Sequence, residues 1–419
     1  MKGKSSWNVL ALVLLFGFLL GQAQAAWVRK ADVSGQPSGK PVKGGGSITA
    51  IGDIVYLVIG NNTNDVVKYD PGTNTWAALS SGIPAGAKAQ KRAKKGACLA
   101  DDESKVYAFR GGGTNDFASY DAATAAWAVL QSPGFTKGLK GGFATYANVS
   151  STGYIYAGSG SNLGEWKRYN IGTGAWGAAE PAALPAARVK VGSALAFADG
   201  KMYFLLANTK EANFYVADLA ASPPTWTAKQ TLPLAPTGGK SKKVKEGGSL
   251  QFLGGTLYAV KGGSTTQFWS YDPPTDAWTY VGEVGGGAAT KGIKCGTSLA
   301  AVTGGLYCII GNNTNEFWYY SPTMFRAEKR DPAVQGAAVP GTRLAIQTTN
   351  PVSGAARVNC TLPVGTTAQL TVINALGSVV RTATSSTGSF GTIELAPGVY
   401  SLRVVAGGRS ATSSLVVLK

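Results

Sequence analysis

The chain has 419 residues, of which 57 are glycine, 15% are charged and none is histidine. The missing histidine excludes Ser-His-Asp and Cys-His nucleophile pairs, histidine-ligated zinc or copper, and axial-histidine haem. The formal net charge of +17 favours an anionic partner. The glycine content favours an all-β chain with many tight turns, since glycine inside a helix costs about 1 kcal/mol relative to alanine.

The N-terminus has the features of a secretory signal peptide. Lys2 and Lys4 precede an apolar run at residues 9–20, and small residues at 23–25 follow it. An uncleaved membrane anchor is the alternative, but the run is shorter than the ~20 residues that span a bilayer. We therefore predict export, a signal peptide at residues 1–25 and no transmembrane segment in the mature chain.

A tryptophan recurs every 49 to 52 residues in the region that follows. Its six copies are Trp27, Trp76, Trp127, Trp176, Trp226 and Trp278. Between successive copies lie four short β-type runs separated by turn residues such as Gly52-Asp53 and Asp70-Pro71-Gly72. Four strands per unit at this period are typical of a β-propeller blade.

The motif within the units resembles that of kelch-repeat β-propellers. Full or degenerate copies of Tyr-Asp-Pro-x-Thr-x-x-Trp stand at 69–76, 120–127, 169–176 and 271–278. Double glycines follow the second strand at 111–112 and 262–263, and the fourth unit offers Tyr215 and Asp218 in place of the Tyr-Asp pair. The resemblance covers residues 26 to about 330. It implies a kelch-type propeller and says almost nothing about function.

Counting the units predicts how the ring closes. The sixth unit reaches Tyr320 with no tryptophan after it, whereas Trp27 is in phase with the series. Either residues 26–29 supply the fourth strand of the sixth blade, or Trp27 belongs to a leader and residues 324–326 form the last strand. We expect the first, because an open ring leaves two long unpaired edges. The predicted fold class is all-β, with a six-bladed kelch-type propeller at residues 26–335 closed by the N-terminal strand.

The composition changes in the C-terminal region. Tryptophan disappears, and Ser, Thr and Val dominate around alternating strands such as residues 369–373, with 395–400 and 414–419 after them. This region resembles the C-terminal sorting domain of the bacterial type IX secretion system, a small immunoglobulin-like β-sandwich. The resemblance implies outer-membrane export, and a plain terminal immunoglobulin-like module is the alternative. We predict a sorting domain at residues 336–419 and a secreted chain that is extracellular or on the outer cell surface.

A doublet of basic residues precedes the first strand of each unit. The second member stands thirteen residues before a tyrosine of the first hairpin, or sixteen in the third unit, where we expect a longer turn at 148–153. The doublets are Lys40 and Lys43, Lys91 and Lys94, Lys137 and Lys140, Arg188 and Lys190, Lys242 and Lys245, and Lys291 and Lys294. Extra bases stand at Arg92, Lys95, Lys240 and Lys243, and Glu246 is the one acid expected nearby.

Propeller geometry turns these doublets into a candidate site. The loop entering each first strand lies at one mouth of the central channel, so a lysine at a fixed repeat position becomes a ring of six charges. Their repulsion is screened over ~8 Å at physiological salt but never becomes favourable. Stability therefore gives no reason to repeat the lysine, whereas an anionic ligand does.

Short polar side chains are expected on the same face, in the loops between second and third strands. Their amides are Asn64, Asn115, Asn162, Asn208 and Asn315. Such groups offer donors and acceptors to sugar hydroxyls, sulfates or phosphates. The alternative is that the asparagines are turn formers and the lysines are solvated loop charge.

These features predict a non-catalytic propeller that binds an anionic polysaccharide or a cell-surface glycolipid such as lipopolysaccharide. A structural or adhesive scaffold that assembles with itself or another protein is the alternative. Nucleic acid is a poorer fit, because the basic loops lack interleaved aromatic residues for base stacking.

We expect no catalytic residue, no cofactor and no metal. The turn acids Asp70, Asp121 and Asp272 are expected on the opposite face, and no carboxylate pair has the spacing that glycosidases need. A lyase that uses a lysine or tyrosine base is the remaining enzymatic alternative. Cys98, Cys295, Cys308 and Cys360 have no metal-ligand spacing, and we interpret them mainly as small buried residues.

Overall fold

The computed structural model describes residues 27–84, 86, 91–322, 346–348, 352–360, 366–374, 379–406 and 409–418. The predicted signal peptide and the alternative last strand at 324–326 lie outside the described residues. In the part that is described, the chain contains no helix with the length and apolar character needed to cross a membrane.

The first part of the chain consists of six antiparallel sheets of four strands. Its strands are β1 (Trp27–Arg29), β2 (Ser47–Ile51), β3 (Ile54–Val58), β4 (Val66–Asp70), β5 (Thr75–Ala78), β6 (Cys98–Asp101), β7 (Lys105–Phe109), β8 (Phe117–Asp121), β9 (Ala126–Val129), β10 (Phe143–Val149), β11 (Thr152–Gly158), β12 (Trp166–Asn170), β13 (Ala175–Ala178), β14 (Ala194–Ala198), β15 (Lys201–Leu205), β16 (Ala212–Asp218), β17 (Trp226–Leu232), β18 (Ser249–Leu253), β19 (Thr256–Val260), β20 (Gln267–Asp272), β21 (Ala277–Glu283), β22 (Ser298–Val302), β23 (Gly305–Ile309) and β24 (Phe317–Tyr320). A 3-10 turn at Val284–Gly287 follows β21.

These sheets form a closed ring. The first blade is β2 to β5, and the second to fifth blades follow in chain order with four strands each. The innermost strands β2, β6, β10, β14, β18 and β22 are neighbours in that order, and β22 lies beside β2. The structure therefore confirms the predicted six-bladed β-propeller, while its assignment to the kelch type stays a prediction.

The N-terminal strand closes the sixth blade. β1 pairs antiparallel with β24, and Trp27 lies opposite Tyr320. The Trp27 ring packs edge-on against Phe268, with ring centroids 4.9 Å apart, and so also ties the sixth blade to the fifth. The predicted closure is confirmed, and pairing removes the unpaired edges that an open ring exposes.

In the first five blades, the recurring tryptophan joins its blade to the strand or loop that precedes it. The indole N–H of Trp76 donates to the carbonyl oxygen of Ala31 at 2.9 Å. Trp127, Trp176, Trp226 and Trp278 donate in the same way to the carbonyls of Ser81, Gln131, Ala183 and Gln230. The period of the sequence thus reflects one repeated hydrogen bond. In the fourth blade the residue opposite the tryptophan is Ala217, not Tyr215.

The first hairpin of the third blade differs from the prediction. Its strands continue to Val149 and resume at Thr152, so that only residues 150 and 151 form the turn. Both turn residues have positive φ, as a tight two-residue hairpin requires. The three additional residues before Tyr156 therefore lengthen the strands and not the turn.

The tail forms two sheets around one apolar core. Its strands are β25 (Ile346–Gln347), β26 (Val352–Ser353), β27 (Ala355–Cys360), β28 (Ala368–Asn374), β29 (Val379–Ser385), β30 (Ser389–Glu394), β31 (Gly398–Ala406) and β32 (Arg409–Leu418). β25, β27 and β30 form one sheet and the other five form the second. Val358 of the first sheet packs in one buried cluster with Leu370 and Leu402 of the second. The Tyr400 hydroxyl donates to the carbonyl of Ala396 at 2.8 Å, as in the tyrosine corner of immunoglobulin-like sandwiches.

The four cysteines are all free thiols. Cys98, Cys308 and Cys360 are buried among apolar residues, as predicted, whereas Cys295 is half-buried. Burial raises the pKa of the Cys98 and Cys308 thiols well above the ordinary value, so these two residues act as small apolar groups.

Candidate anion-binding site

The loops that enter the six blades share a six-residue segment. Its order is a base, any residue, a buried apolar residue, a base, any residue and a glycine, with alanine in the first place in the fourth blade. The segments are 40–45, 91–96, 137–142, 187–192, 242–247 and 291–296. We call the surface formed by these six segments the lysine face. All twelve bases of the predicted doublets have exposed side chains there.

The apolar residue anchors each segment to the preceding blade. These residues are Val42, Ala93, Leu139, Val189, Val244 and Ile293, and none is more than 1% exposed. The carbonyl oxygen of Ala93 accepts a hydrogen bond from the backbone N–H of Asn62 at 2.9 Å, and the N–H of Ala93 donates to the carbonyl oxygen of Thr63 at 2.8 Å. The preceding blade bonds to all five other anchors in a similar way. The lysines therefore project from a fixed backbone and not from a free loop.

The glycine of the segment brings neighbouring segments into contact around the axis. Gly247 has φ +93°, and a Cβ placed on it would lie 1.9 Å from the carbonyl oxygen of Lys294 in the next blade. The corresponding distances are 2.2 Å from Gly45 to Lys94 and 2.0 Å from Gly296 to Lys43, across the closure point. Between the third and fourth blades the contact is made by Gly141, whose added Cβ would lie 2.7 Å from the backbone nitrogen of Val191. The backbones of the six segments therefore form a continuous circle.

The lysine side chains extend over the face and do not line the channel. The carbon stem of Lys245 lies against Gly263, which belongs to the loop between the second and third strands, farther from the axis. The residue after the lysine faces the axis instead. Lys95 and Glu246, which follow the lysines of the second and fifth blades, form an ion pair with Nζ and Oε1 3.2 Å apart. The lysine stems therefore run outward over the face, and their exposed side chains surround the mouth.

Four of the five predicted amides already have backbone partners. The side chain of Asn115 donates to the carbonyl of Phe135 at 2.8 Å and accepts from its N–H at 3.2 Å. Asn64, Asn208 and Asn315 bond to the backbone of Ala93, Val191 and Val42. This favours the alternative interpretation of these four asparagines as residues that hold the loops. Asn162 is exposed with φ +63° and retains the predicted role as a proposal.

The sequence reasoning missed five carboxylates on the same side of the disc. Each directly precedes the third strand of its blade, and they are Asp65, Asp116, Glu165, Glu211 and Glu316. Glu165 accepts a hydrogen bond from the N–H of Thr136 at 3.2 Å, and Asp116 pairs with Arg110 at 3.3 Å. Asp65 and Glu316 accept from the N–H groups of Ser38 and Thr290. Asp65, Glu165 and Glu316 therefore hold the loop that enters their own blade, whereas Glu211 is exposed. The twelve exposed bases leave the face positive.

The turn acids have structural partners. Asp70 accepts from the N–H of Gly72 at 2.8 Å, and Asp272 accepts from the hydroxyl of Thr275 at 2.5 Å. The N–H of Thr124 holds the pKa of Asp121 below its ordinary value. These residues lie in turns between third and fourth strands, on the face opposite the lysines. Within the described residues, no three His, Cys, Asp or Glu side chains are grouped to hold a metal ion.

The central channel is a polar cavity of about 280 Å³ between the innermost strands. Hydroxyl groups of Ser47, Thr145 and Ser249 belong to its lining. Asp101 also lines it, accepting hydrogen bonds from the hydroxyl of Thr49 and from the N–H of Glu103. Burial raises the pKa of the Asp101 carboxyl to about 6, more than these hydrogen bonds lower it.

The stability of the parent chain is expected to fall as the pH rises, because Asp101 in the channel must then lose its proton. The variant Asp101→Asn is expected to remove this fall. The folded chain holds the proton up to about pH 6, whereas the unfolded carboxyl releases it near 3.8. Stability from this group is therefore present below about pH 4 and lost as the pH rises to 6. Thermal unfolding between pH 4 and pH 7 measures the effect.

The control is Asp121→Asn, which removes a carboxyl whose folded pKa is lowered and therefore destabilises at pH 7. An unfolding temperature at pH 7 that is the same for Asp101→Asn and the parent would contradict the prediction.

Comparison with known proteins identifies the tail. Residues 350–418 match the family model described as a secretion system C-terminal sorting domain. This match confirms the predicted type IX sorting domain and places the chain among secreted or outer-surface proteins. No curated protein matches the chain.

Solved structures resemble the chain in fold. A structural genomics protein of unknown function from Bacteroides thetaiotaomicron VPI-5482 has a TM-score of 0.51 and 16% identity, covering 71% of this chain and 76% of that one. A structure described as YjhT has a TM-score of 0.48 and 14% identity, with 68% and 95% covered. An auxiliary nutrient binding protein from Bacteroides thetaiotaomicron VPI-5482 has 0.45 and 12%, with 71% and 77% covered. At these identities only the fold is shared, and the first structure supports it.

Proposed function

We propose that this exported chain is a non-catalytic binding protein whose lysine face holds an anionic polymer at the cell surface. The polymer is an acidic polysaccharide or a glycolipid such as lipopolysaccharide. One observation carries the proposal. Exposed bases recur at one register in all six blades, on backbone that buried anchors fix in place.

Affinity on such a surface comes from the number of contacts. An exposed ion pair contributes only about 0–1 kcal/mol, so one or two lysines hold a single anion weakly. A polymer that meets many lysines at once sums these contributions while paying the cost of association once. The positive face also attracts a polyanion over several ångströms, an effect that salt screens.

Binding without catalysis is part of the proposal. The chain has no histidine, and the turn acids accept hydrogen bonds from their own turns on the other face. On the lysine side, Asp65, Glu165 and Glu316 accept hydrogen bonds from loop N–H groups, and Asp116 pairs with Arg110. These engagements leave charge recognition as the chemistry that the face supports best.

An array of acidic and neutral glycans tests the proposal. The purified chain is expected to bind sulfated and uronic-acid glycans and lipopolysaccharide, and to ignore neutral glycans of the same length. Equal signals on neutral and acidic glycans would contradict it. Size-exclusion chromatography without polymer at low and high salt is the companion measurement, since self-assembly there is the result expected of a scaffold.

A further inference from the structure

The second and fifth blades differ from the other four at two positions, which are separated by one residue. The residues that follow the second strands are Ile59, Arg110, Ser159, Leu206, Lys261 and Ile310, so that a base occurs in these two blades alone among the six. The double glycine that the sequence shows at 111–112 and 262–263 comes directly after that base. The second and fifth blades lie opposite each other in a ring of six.

The base in these blades is buried and bonds to the lysine segment. Arg110 and Lys261 are both fully buried. Arg110 donates to the carbonyls of Pro84 and Lys91, the latter at 2.8 Å. Lys261 donates to the carbonyls of Pro233 and Lys242, the latter at 3.3 Å. In both blades, therefore, a buried cation fixes the carbonyl of the first lysine of the doublet.

The other blades hold their segments from the exposed side. Asn61, Ser161 and Asn312 occupy the place of the second glycine in three of them, and their side chains donate to the segment carbonyls of Pro41, Gly138 and Gly292. In the second and fifth blades this place is Gly112 or Gly263, and the lysine stem lies over it. A Cβ on Gly112 would lie 3.5 Å from the Cβ of Lys94, and one on Gly263 would lie 3.2 Å from the Cβ of Lys245.

The two blades are also joined across the axis. The ion pair between Lys95 and Glu246 connects them directly over the channel mouth. The extra bases belong to the same two blades, Arg92 and Lys95 to the second, Lys240 and Lys243 to the fifth, and all four side chains are exposed. Positive charge is therefore concentrated at two opposite points, with a short bridge between them.

We propose that the lysine face is a two-lobed site for a linear acidic polysaccharide that crosses the channel mouth. This inference rests on the proposed function and adds its geometry. The second-blade lobe is Lys91, Arg92, Lys94 and Lys95, and the fifth-blade lobe is Lys240, Lys242, Lys243 and Lys245. A polysaccharide that is bound at one lobe and long enough to reach the other meets the second lobe at a high effective concentration. A short anion occupies only one lobe and therefore binds weakly.

Two charge-matched variants test the lobes with heparin as the probe. The lobe variant carries Lys91→Gln, Lys94→Gln, Lys242→Gln and Lys245→Gln. The control carries Lys137→Gln, Lys140→Gln, Lys291→Gln and Lys294→Gln, which removes the same charge from the third and sixth blades, also opposite each other. All eight side chains are exposed, so thermal unfolding is expected to be unchanged.

Calorimetric titration at fixed salt is expected to show a loss of about 100-fold in heparin affinity for the lobe variant and of less than about 5-fold for the control. Equal losses would show a sixfold ring and overturn the two-lobed site while leaving the proposed function intact. No binding of heparin or of any other acidic glycan by the unmodified chain would instead remove the proposed function itself.

Heparin fragments of graded length provide a second measurement. The affinity of the unmodified chain is expected to rise sharply at the length that first spans both lobes. That step is expected to vanish in a variant with only Lys242→Gln and Lys245→Gln. A step that persists in this variant would overturn the two-lobed site.

Discussion

Changing Lys94, Lys190 and Lys294 together to glutamate is expected to abolish binding to acidic glycans, with a loss of at least about 100-fold in affinity. The three lysines belong to alternate blades, so the substitution places a negative charge beside every remaining lysine of the circle. A polymer crossing the face then meets repulsion wherever it lies. Titration with heparin and with lipopolysaccharide measures the loss.

The matched control changes the same charge elsewhere on the disc. Lys68, Lys105 and Lys201 lie on strands or strand starts away from the lysine face, and their replacement by glutamate gives the same net charge. This triple variant is expected to keep more than about a third of the affinity, since screening limits the effect of distant charges. If the Lys94, Lys190 and Lys294 variant binds as well as its control, the lysine face has no role in binding.

Replacing Gly247 by alanine is expected to destabilise the propeller by at least about 2 kcal/mol. The residue has φ +93°, and the new Cβ would lie 1.9 Å from the backbone oxygen of Lys294. The atom that the new Cβ would overlap belongs to the backbone, so a change of side-chain rotamer cannot relieve the overlap. Thermal unfolding measures the loss.

The variant Gly52→Ala is the control, because it places alanine at a positive φ without a steric overlap. Gly52 has φ +57°, and beyond its two chain neighbours no atom lies within 4 Å of the place that an alanine Cβ would take. Only the backbone preference is therefore lost, at about 1 kcal/mol. A Gly247→Ala variant no less stable than Gly52→Ala would show that the segments do not form a rigid circle.

The propeller was predictable because large aromatic residues recur at the same position in its repeats. Trp76 and its counterparts in the second to fifth blades make the same hydrogen bond, and Trp27 packs against the neighbouring blade, so their period is visible without any tertiary information. Closure followed from the same period, since Trp27 is in phase with the series. The fine geometry of the third blade was not predictable, because a longer strand and a longer turn add the same number of residues.

The chemistry of the face was predictable only in part. The repeat register of the lysines in the sequence predicted that they lie together on one face. A charged residue in a sequence ordinarily predicts an exposed side chain. The burial of Arg110 and Lys261 instead depends on carbonyl groups from distant loops. Burial lowers the pKa of Lys261 to about 8, which shows how far this environment departs from a surface. Val42 and the other anchors escaped notice for a similar reason. A single apolar residue between two bases has no periodic signal.

The asparagines show where composition misleads. An amide suits a sugar hydroxyl and a backbone carbonyl equally well, and the sequence does not say which partner is present. In Asn115 both ends of the amide are taken by Phe135. The bases, whose ammonium groups remain exposed, are therefore better supported as ligand contacts than the amides.

The salt dependence of heparin affinity for the full chain tests the account most directly. A polyanion releases its bound counterions when lysines replace them. The logarithm of the association constant is therefore expected to fall linearly with the logarithm of the salt concentration, with a slope of about −3 or steeper. An affinity that is indifferent to salt, or no greater than that for neutral dextran, would show that the bases on this face do not bind the polymer.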